Sequence, residues 1–268
     1  MRPRVIALSV LSLATVAPVA QAQISITSPT FIYTQDFNSL ASTGTNNTQL
    51  PAGFVINEEG SSTSTNNEAY NVNNGSTGTG DTYSFGGTGD SDRALGIIQS
   101  GSLQATFGVS FVNNSGVAIN QFLLSYRGET WRIGGPNRSD RLDFAYSTNA
   151  TSLTTGTYTD VDALDYNGPS VAAAITAART DPFSTSAVTG GFSATLNPNQ
   201  TLFLRFSDFN ASLSDDGLAI DDLRLQVLQP VPAPPAAVSL AIGGSVGLLG
   251  TGVRRLRGRG AKRKHGAK

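Results

Sequence analysis

The chain has 268 residues, with 18 Lys and Arg against 19 Asp and Glu and a formal net charge of −1 at pH 7. It contains no cysteine, which excludes disulfides, a thiol nucleophile and cysteine metal ligands. Its one histidine, His265, lies near the C-terminus, so a Ser-His-Asp triad or a histidine metal site in the body of the chain is excluded as well.

The first 22 residues have the features of a secretory signal peptide. Two arginines precede a long uncharged run, and Ala20 and Ala22 close this run with the small-x-small pattern of a cleavage site. A membrane anchor or a buried helix is the alternative, but the modest length and the Ala-Gln-Ala end favour cleavage. The sequence therefore predicts a signal peptide at 1–22 and transfer to the secretion machinery.

Residues 23–229 match a single domain in size. All 19 acidic residues and only eight of the 18 basic residues lie in this range, so it carries a net charge of 8 − 19 = −11. Such an acidic domain repels the phosphate backbone, so nucleic acid is excluded as a partner. A domain of this size also buries enough apolar surface to fold without disulfides.

Alternation with a period of two dominates this domain. In 105–111, ATFGVSF, every second residue is apolar, which is typical of a half-buried strand. Similar patterns predict strands at 31–37, 82–85, 93–99, 122–126, 142–147, 202–206 and 220–227. In the last of these, the spacing of apolar residues predicts a bulge near Asp221 and Asp222.

The remaining segments indicate the fold class. Residues 169–179, PSVAAAITAAR, are the one predicted helix, and residues 41–80, rich in Ser, Thr, Asn and Gly, predict long surface loops. Many short strands with abundant turns predict an all-β domain, an antiparallel β-sandwich of jelly-roll type. A β-helix is the alternative, but no regular repeat supports it.

Three stretches of the domain carry candidate binding groups. The first, 83–96, interleaves Gly-rich turns with Asp90 and Asp92 and follows closely on Asp81. These carboxylates could supply oxygen ligands to Ca²⁺, although the stretch lacks EF-hand spacing and the GK[ST] ending of a phosphate loop. The alternative is a structural turn in which Asp side chains accept hydrogen bonds from nearby backbone amides.

The second stretch is SYRGETWR, 125–132. If its strand is regular, Arg127, Glu129 and Trp131 share one face, and Tyr126 lies on the opposite face. Such a face suits a sugar, because an indole can stack on a sugar ring while charged groups bind the hydroxyls. The alternative is a partly buried Trp supported by an Arg–Glu ion pair.

The third stretch, SDDGLAIDDLRLQ at 214–226, is the densest acidic cluster. Its candidate calcium ligands are Asp215 and Asp216, expected on a turn, and Asp221 and Asp222, expected on the next strand. A structural role is the alternative. The segment GLAIDDL resembles the last strand of concanavalin-like and MAM-like jelly rolls. With RALG and GETWR, it is similar to secreted bacterial β-sandwich domains, a resemblance that implies the fold but no activity.

The C-terminal segment 230–268 has three parts. Prolines between 230 and 235 oppose sheet pairing and indicate a stiff linker. The uncharged residues 235–253 would span about 28 Å as a helix, close to the hydrocarbon thickness of about 30 Å, so a transmembrane helix is predicted there. The basic residues that follow would hold the chain end in the cytoplasm and leave the domain on the far side. Those nearest the helix are Arg254, Arg255, Arg257 and Arg259.

The linker contains Val231, Pro232, Ala233 and Pro234. With the helix and the arginines, this motif resembles the PEP-CTERM sorting signal of Gram-negative bacteria, whose usual motif is Val-Pro-Glu-Pro. Ala233 stands where glutamate is typical. The resemblance implies recognition by an exosortase, removal of the tail and a link to exopolysaccharide production. An ordinary membrane anchor is the alternative.

These features favour a non-catalytic protein, first held in the inner membrane and then at the cell surface or outside the cell, that associates with exopolysaccharide. A secreted glycosidase or lyase is one alternative, because such chemistry needs only two carboxylates, and Glu129 with Asp143 is a conceivable pair. A structural or adhesive protein that binds no sugar is the other. Calcium is the one cofactor that the acidic clusters suggest.

Overall fold

The computed structural model describes residues 23–62 and 64–228. The predicted signal peptide, sorting motif, transmembrane helix and basic tail lie outside the described residues and stay predictions. Within the described residues, no helix is both long and apolar enough to cross a bilayer.

The described chain folds into strands joined by turns, with one 3-10 turn at Asp162–Leu164. In chain order the strands are β1 (Ile24–Ile26), β2 (Ile32–Gln35), β3 (Phe54–Gly60), β4 (Tyr70–Asn73), β5 (Asp81–Phe85), β6 (Ala94–Ile98), β7 (Leu103–Asn113), β8 (Ile119–Arg132), β9 (Arg141–Ser147), β10 (Thr159–Asp160), β11 (Tyr166–Asn167), β12 (Ser184–Leu196), β13 (Thr201–Asp208) and β14 (Gly217–Leu228). The prediction of an all-β domain is confirmed, and each of the predicted strand segments overlaps a strand.

The strands form two sheets. In the first, β7, β13 and β9 are central, β1 and β3 share the outer side of β7, and β10 and β11 pair with β9. In the second, the order is β12-β8-β14-β6-β5-β4, and β2 continues beside β14 beyond the end of β6. All pairings are antiparallel except β1 with β7 and β4 with β5. The two-sheet, mainly antiparallel arrangement agrees with a β-sandwich, and the jelly-roll type stays a prediction.

The two sheets share an aromatic core. Phe206 of β13 lies within it, and its ring centroid is 5.3 Å from those of Phe107 and Phe144 in the same sheet. Tyr126 of β8 reaches across from the second sheet and meets the Phe206 ring edge-on at 5.4 Å. Because each such ring pair contributes about 0.5–1.5 kcal/mol beyond area burial, Phe206 helps to hold one sheet on the other.

A β-bulge interrupts the pairing of β14 with β8, as predicted. Asp221 pairs with Arg127 and Arg224 pairs with Ser125, so two residues of β14 oppose the single residue Tyr126. Asp222 adopts a left-handed conformation with φ of 50°, which aspartate tolerates better than most residues. The bulge lets two consecutive aspartates lie beside the same side chain, that of Arg127.

The predicted helix at 169–179 is wrong. The segment is extended and irregular, and Ile175 forms an antiparallel bridge with Ile133 through two backbone hydrogen bonds of 2.9 Å. Farther along the same contact, the Asn137 amide donates to the Val171 carbonyl at 2.7 Å. The alanines are exposed, so a helix here would bury no apolar face, and a helix this short is marginal without such burial.

The prediction that 41–80 consists of surface loops is also wrong in part, because β3 and β4 lie within it. Phe54 of β3 and Tyr70 of β4 are fully buried. The Tyr70 hydroxyl accepts a hydrogen bond from the Ala41 amide and donates one to the Gln49 carbonyl, at 3.0 and 2.9 Å. A buried anchor therefore ties part of this polar, turn-rich segment to the core.

Replacing Phe206 with alanine is expected to lower the free energy of unfolding by about 3–5 kcal/mol, because it leaves a cavity between the sheets. Phe209→Ala is the matched control, since Phe209 is 48% exposed and its loss should cost far less. Urea denaturation of both variants measures the difference. Equal destabilisation would contradict the assignment of Phe206 to the shared core.

Candidate functional site

A pocket of about 120 Å³ opens where the turn after β5, the segment before β12 and strands β8 and β14 come together. We call it the Arg127 pocket and define it by Asp92, Arg127, Glu129, Asp181 and Asp221. In the sequence, Asp92, Arg127 and Asp221 belong to three separate candidate stretches, 83–96, 125–132 and 214–226. The pairing of β8 with β14 and the turn at 86–92 bring them to one place.

Arg127 stands among four carboxylates. Its Nε lies 3.0 Å from Glu129 Oε1, and its Nη2 is hydrogen-bonded to Asp221 Oδ2. The same Nη2 is 3.7 Å from Asp222 and 3.9 Å from Asp92. The Glu129 and Asp221 side chains are only 5% and 2% exposed, whereas those of Asp92 and Asp222 are 66% and 62% exposed. The guanidinium therefore joins a buried acidic pair to an exposed one.

Trp131 positions Glu129 but does not offer a face to a ligand. Its Nε1 donates to Glu129 Oε2 at 2.8 Å, and its ring stacks on Phe85 with centroids 6.2 Å apart. Only 4% of Trp131 is exposed. The expected grouping of Arg127, Glu129 and Trp131 on one strand face is therefore found, but stacking of a sugar on the indole is not compatible with its burial.

The buried carboxyl groups of this pocket hold protons more tightly than usual. Burial raises the pKa of Glu129 to about 7, although the Trp131 hydrogen bond and the charge of Arg127 act in the opposite direction. Burial likewise raises the pKa of Asp221 to about 6, against the hydrogen bonds from the Asp222 amide and Arg127. One arginine thus offsets only part of the cost of removing two carboxylates from water.

The side chain of Arg93 is buried and hydrogen-bonded to the turn at 86–92, and only 1% of Arg93 is exposed. Arg93 Nε donates to Ser84 Oγ at 2.9 Å, and Nη1 donates to the Gly87 carbonyl at 3.3 Å. A Cβ at Gly86 would lie 2.1 Å from Arg93 Nη1, so the packing requires glycine there. The Asp90 carboxylate accepts the Asp92 amide at 3.2 Å, which is the structural turn offered as the alternative for this stretch.

A wider opening, the side groove, adjoins the Arg127 pocket. It has a volume of about 440 Å³ and is lined by Asn74, Thr88, Ala178, Arg179, Thr180 and Asp181. Thr180 and Asp181 line both cavities, so the two lie side by side along the segment before β12. Together they form a polar surface depression that extends beyond the Arg127 pocket itself.

The four candidate calcium ligands fall into two separate groups. Asp221 and Asp222 contact Arg127, whereas Asp216 Oδ1 accepts from Arg138 Nη2 at 3.0 Å. Asp215 Oδ1 accepts the Ala211 amide at 2.9 Å. Among residues 23–62 and 64–228, no set of three or more His, Cys, Asp or Glu side chains is arranged to hold a metal ion. Calcium binding stays a prediction of the sequence.

Two further groupings suggested by the sequence are absent from the structure. Asp81 does not join Asp90 and Asp92 but is buried elsewhere, where its Oδ2 accepts a hydrogen bond from Asn71. Asp143 lies on β9 of the first sheet and pairs with Arg141, whereas Glu129 lies on β8 of the second. Glu129 and Asp143 therefore do not form a catalytic pair. The acidic partner of Glu129 in the pocket is Asp221, which the sequence analysis assigned to calcium.

No protein-family model matches the chain. No curated protein matches it either. Among solved structures, the chain is similar to the CBM22-1 xylan-binding domain of Paenibacillus barcinonensis Xyn10C, at 10% identity and a TM-score of 0.38, over 76% of this chain and 99% of that one.

Two other solved structures are similar over smaller shares of their own length. For the enzymatically active domain of tailspike protein 4 of bacteriophage CBA120, the identity is 10% and the TM-score 0.35, over 72% of this chain and 22% of that one. For the CBM22-1–GH10 modules of Clostridium thermocellum Xyn10B, complexed with xylohexaose, the identity is 14% and the TM-score 0.28, over 69% of this chain and 28% of that one. Such low scores establish neither a family nor a ligand for this chain.

The raised pKa of Glu129 predicts a specific pH dependence of stability. A group whose folded pKa is raised favours the folded state while protonated, so this contribution is lost as the pH rises from 4.5 to about 7. Glu129→Gln should remove this loss, which amounts to at most about 3 kcal/mol. Urea denaturation across pH 4–8 measures it. Glu59→Gln, an exposed control, should retain the wild-type profile; a profile unchanged in Glu129→Gln would contradict the assignment.

Proposed function

We propose that this chain is an exported protein, sorted by an exosortase, whose β domain binds polysaccharide in the Arg127 pocket and side groove without cleaving it. The adjacency of these two cavities, which share Thr180 and Asp181 as lining residues, is the observation that carries the binding proposal. The features of both chain ends support export and sorting.

The shape and chemistry of the depression support a saccharide ligand. At about 440 Å³, the side groove lies within the range of about 300–1,000 Å³ that is typical of small-molecule sites. Its hydroxyl and amide groups, on Asn74, Thr88 and Thr180, can both donate and accept hydrogen bonds, as sugar hydroxyls do. The charged groups of the Arg127 pocket add stronger hydrogen-bonding partners at one end.

The contacts that the buried carboxylates make within the protein support binding without cleavage. Both oxygens of Glu129 are occupied, one beside Arg127 and the other by Trp131. Asp221 Oδ1 accepts the Asp222 amide and Oδ2 accepts from Arg127. A glycosidase needs one carboxyl group to protonate the leaving oxygen and another on the opposite side of the sugar. Each of the four oxygens thus already lies against a partner within the protein, which favours a structural role for both carboxyl groups.

One observation favours the enzyme alternative: the pKa of Glu129, about 7, is suited to a general acid, and Asp221 lies in the same pocket. Release of reducing ends from the bound polysaccharide distinguishes the two functions. We expect no release. Turnover that is abolished by Glu129→Gln would replace the binding proposal with a glycosidase.

The binding proposal predicts that Asp181→Ala weakens polysaccharide binding by tenfold or more, because Asp181 lines both cavities. Asp162→Ala, which removes an exposed aspartate outside both cavities, should leave binding unchanged. The measurement is a glycan array followed by titration calorimetry, with the full-length chain in mild detergent. No binding to any glycan would favour a structural or adhesive protein instead.

The sorting proposal predicts that the mature protein begins near Gln23 and lacks the basic residues from Arg254 onward. Mass spectrometry of the protein from cells with and without the exosortase locates both ends. A C-terminus that is the same in both cell types would indicate an ordinary anchor. An intact N-terminus would contradict export through a cleaved signal.

A further inference from the structure

The charge of the binding depression is unbalanced. Five carboxylates line the Arg127 pocket and only two arginines do; the acids are Asp90, Asp92, Glu129, Asp181 and Asp221. The side groove adds one more cation, Arg179, and no further acid. Asp222 does not line the pocket, but its exposed carboxylate lies 3.7 Å from Arg127. Glu129 and Asp221 have raised pKa values, but the exposed acids Asp90, Asp92, Asp181 and Asp222 alone still outnumber the three arginines.

The arginines are also committed to partners within the protein. Arg93 is buried, and its guanidinium donates to Ser84 and to the Gly87 carbonyl. Arg127 is bound by the buried carboxylates of Glu129 and Asp221. Arg179 Nε donates to the Asp181 carbonyl at 3.2 Å, and its guanidinium lies 5.4 Å from the centre of the Phe183 ring. Part of the donor capacity of all three arginines is therefore taken up by groups of the protein.

The most exposed charges of the depression are acidic, since the Arg127 side chain is only 38% exposed. The side chains of Asp92 and Asp222 are 66% and 62% exposed, and Asp181 is exposed where the two cavities join. Arg127 is within 4 Å of Asp92 and Asp222, but its closest contacts are with the two buried acids. A ligand that enters here therefore meets carboxylate oxygens that lack a full counter-charge, and a uronic acid polymer would be repelled.

We propose that the polysaccharide bound in this depression carries protonated amino groups, as an amino-sugar polymer that is partly free of N-acetyl groups does. This inference rests on the proposed function. An ammonium group beside Asp92 and Asp181 supplies the missing positive charge and hydrogen-bond donors, while the neighbouring hydroxyls meet Asn74, Thr88 and Thr180. A basic peptide carries the same charge, but the hydroxyl and amide groups of Asn74, Thr88 and Thr180 suit the hydroxyls of a sugar, which favours the sugar.

The test compares two tetrasaccharides of equal length, one of glucosamine and one of N-acetylglucosamine. The full-length chain in mild detergent is titrated with each by calorimetry, in low salt, with a chelator present, and at a pH where the amines are protonated. We expect the glucosamine tetramer to bind at least tenfold more tightly, with a preference that falls as salt is added because these charges are exposed.

Charge-neutral variants of similar shape locate this preference. The double variant Asp92→Asn, Asp181→Asn should reduce the ratio of the two affinities to near one. Asp162→Asn removes one negative charge outside the depression and should leave the ratio at the wild-type value. A ratio that the double variant does not lower would overturn the proposal, because the preference would then come from the overall charge of the domain.

The remaining outcomes separate this inference from the proposed function. Equal binding of both tetramers by the wild-type chain would contradict the amine preference and leave polysaccharide binding intact. Binding of neither tetramer and of no other glycan would contradict both. Binding of tetralysine as tightly as the glucosamine tetramer would show that charge alone is recognised, and would overturn the assignment to an amino sugar.

Discussion

The pairing of β8 with β14 determines where the charged groups of the pocket lie. Its register places Arg127 opposite Asp221, and the bulge that follows brings Asp222 to the same guanidinium. Glu129 is two residues farther along β8 and so points to the same face. The arginine can satisfy two buried acids only while this register holds. A shift of β14 by one residue would turn its carboxylates toward the opposite face of the sheet.

Burial of carboxylates recurs elsewhere in this acidic domain. Glu58 accepts hydrogen bonds from the Asn67 and Glu68 amides at 3.0 and 2.8 Å, which ties the loop between β3 and β4 back to β3. Asp81 lies beside it, and burial together with the charge of Glu58 raises the pKa of Asp81 to about 7. Hydrogen bonds from backbone amides offset part of the cost of burying a carboxylate. Several acidic groups can therefore be buried in this domain.

The basic residues of 23–229 are all arginines, which suits this use of acids. Arg138 binds Asp140 through one terminal nitrogen and Asp216 through the other, at 3.1 and 3.0 Å. Arg127 also lies between two acids, with Nε 3.0 Å from Glu129 Oε1 and Nη2 hydrogen-bonded to Asp221. A guanidinium can do this because its donors form a planar fork, whereas the ammonium of lysine is a compact point charge. Both acid-arginine sets join segments that are distant in sequence, so they form only when the chain has folded.

The sequence by itself determined the class of fold, most of the strands and the bulge at Asp221, because alternation of apolar residues is a local consequence of burying one face of a sheet. It missed β12, whose Ser, Thr and Gly residues lack an aliphatic pattern, and it assigned a helix to 169–179, where the backbone bonds to the segment after β8 instead. It also grouped Arg127, Glu129 and Trp131 correctly, since they alternate on one strand. Only the tertiary structure decided that the indole is buried, that the calcium candidates divide between Arg127 and Arg138, and that Asp221 and Asp181 join the pocket. Those outcomes depend on pairing between residues some 40 to 120 positions apart, for which local periodicity carries no information.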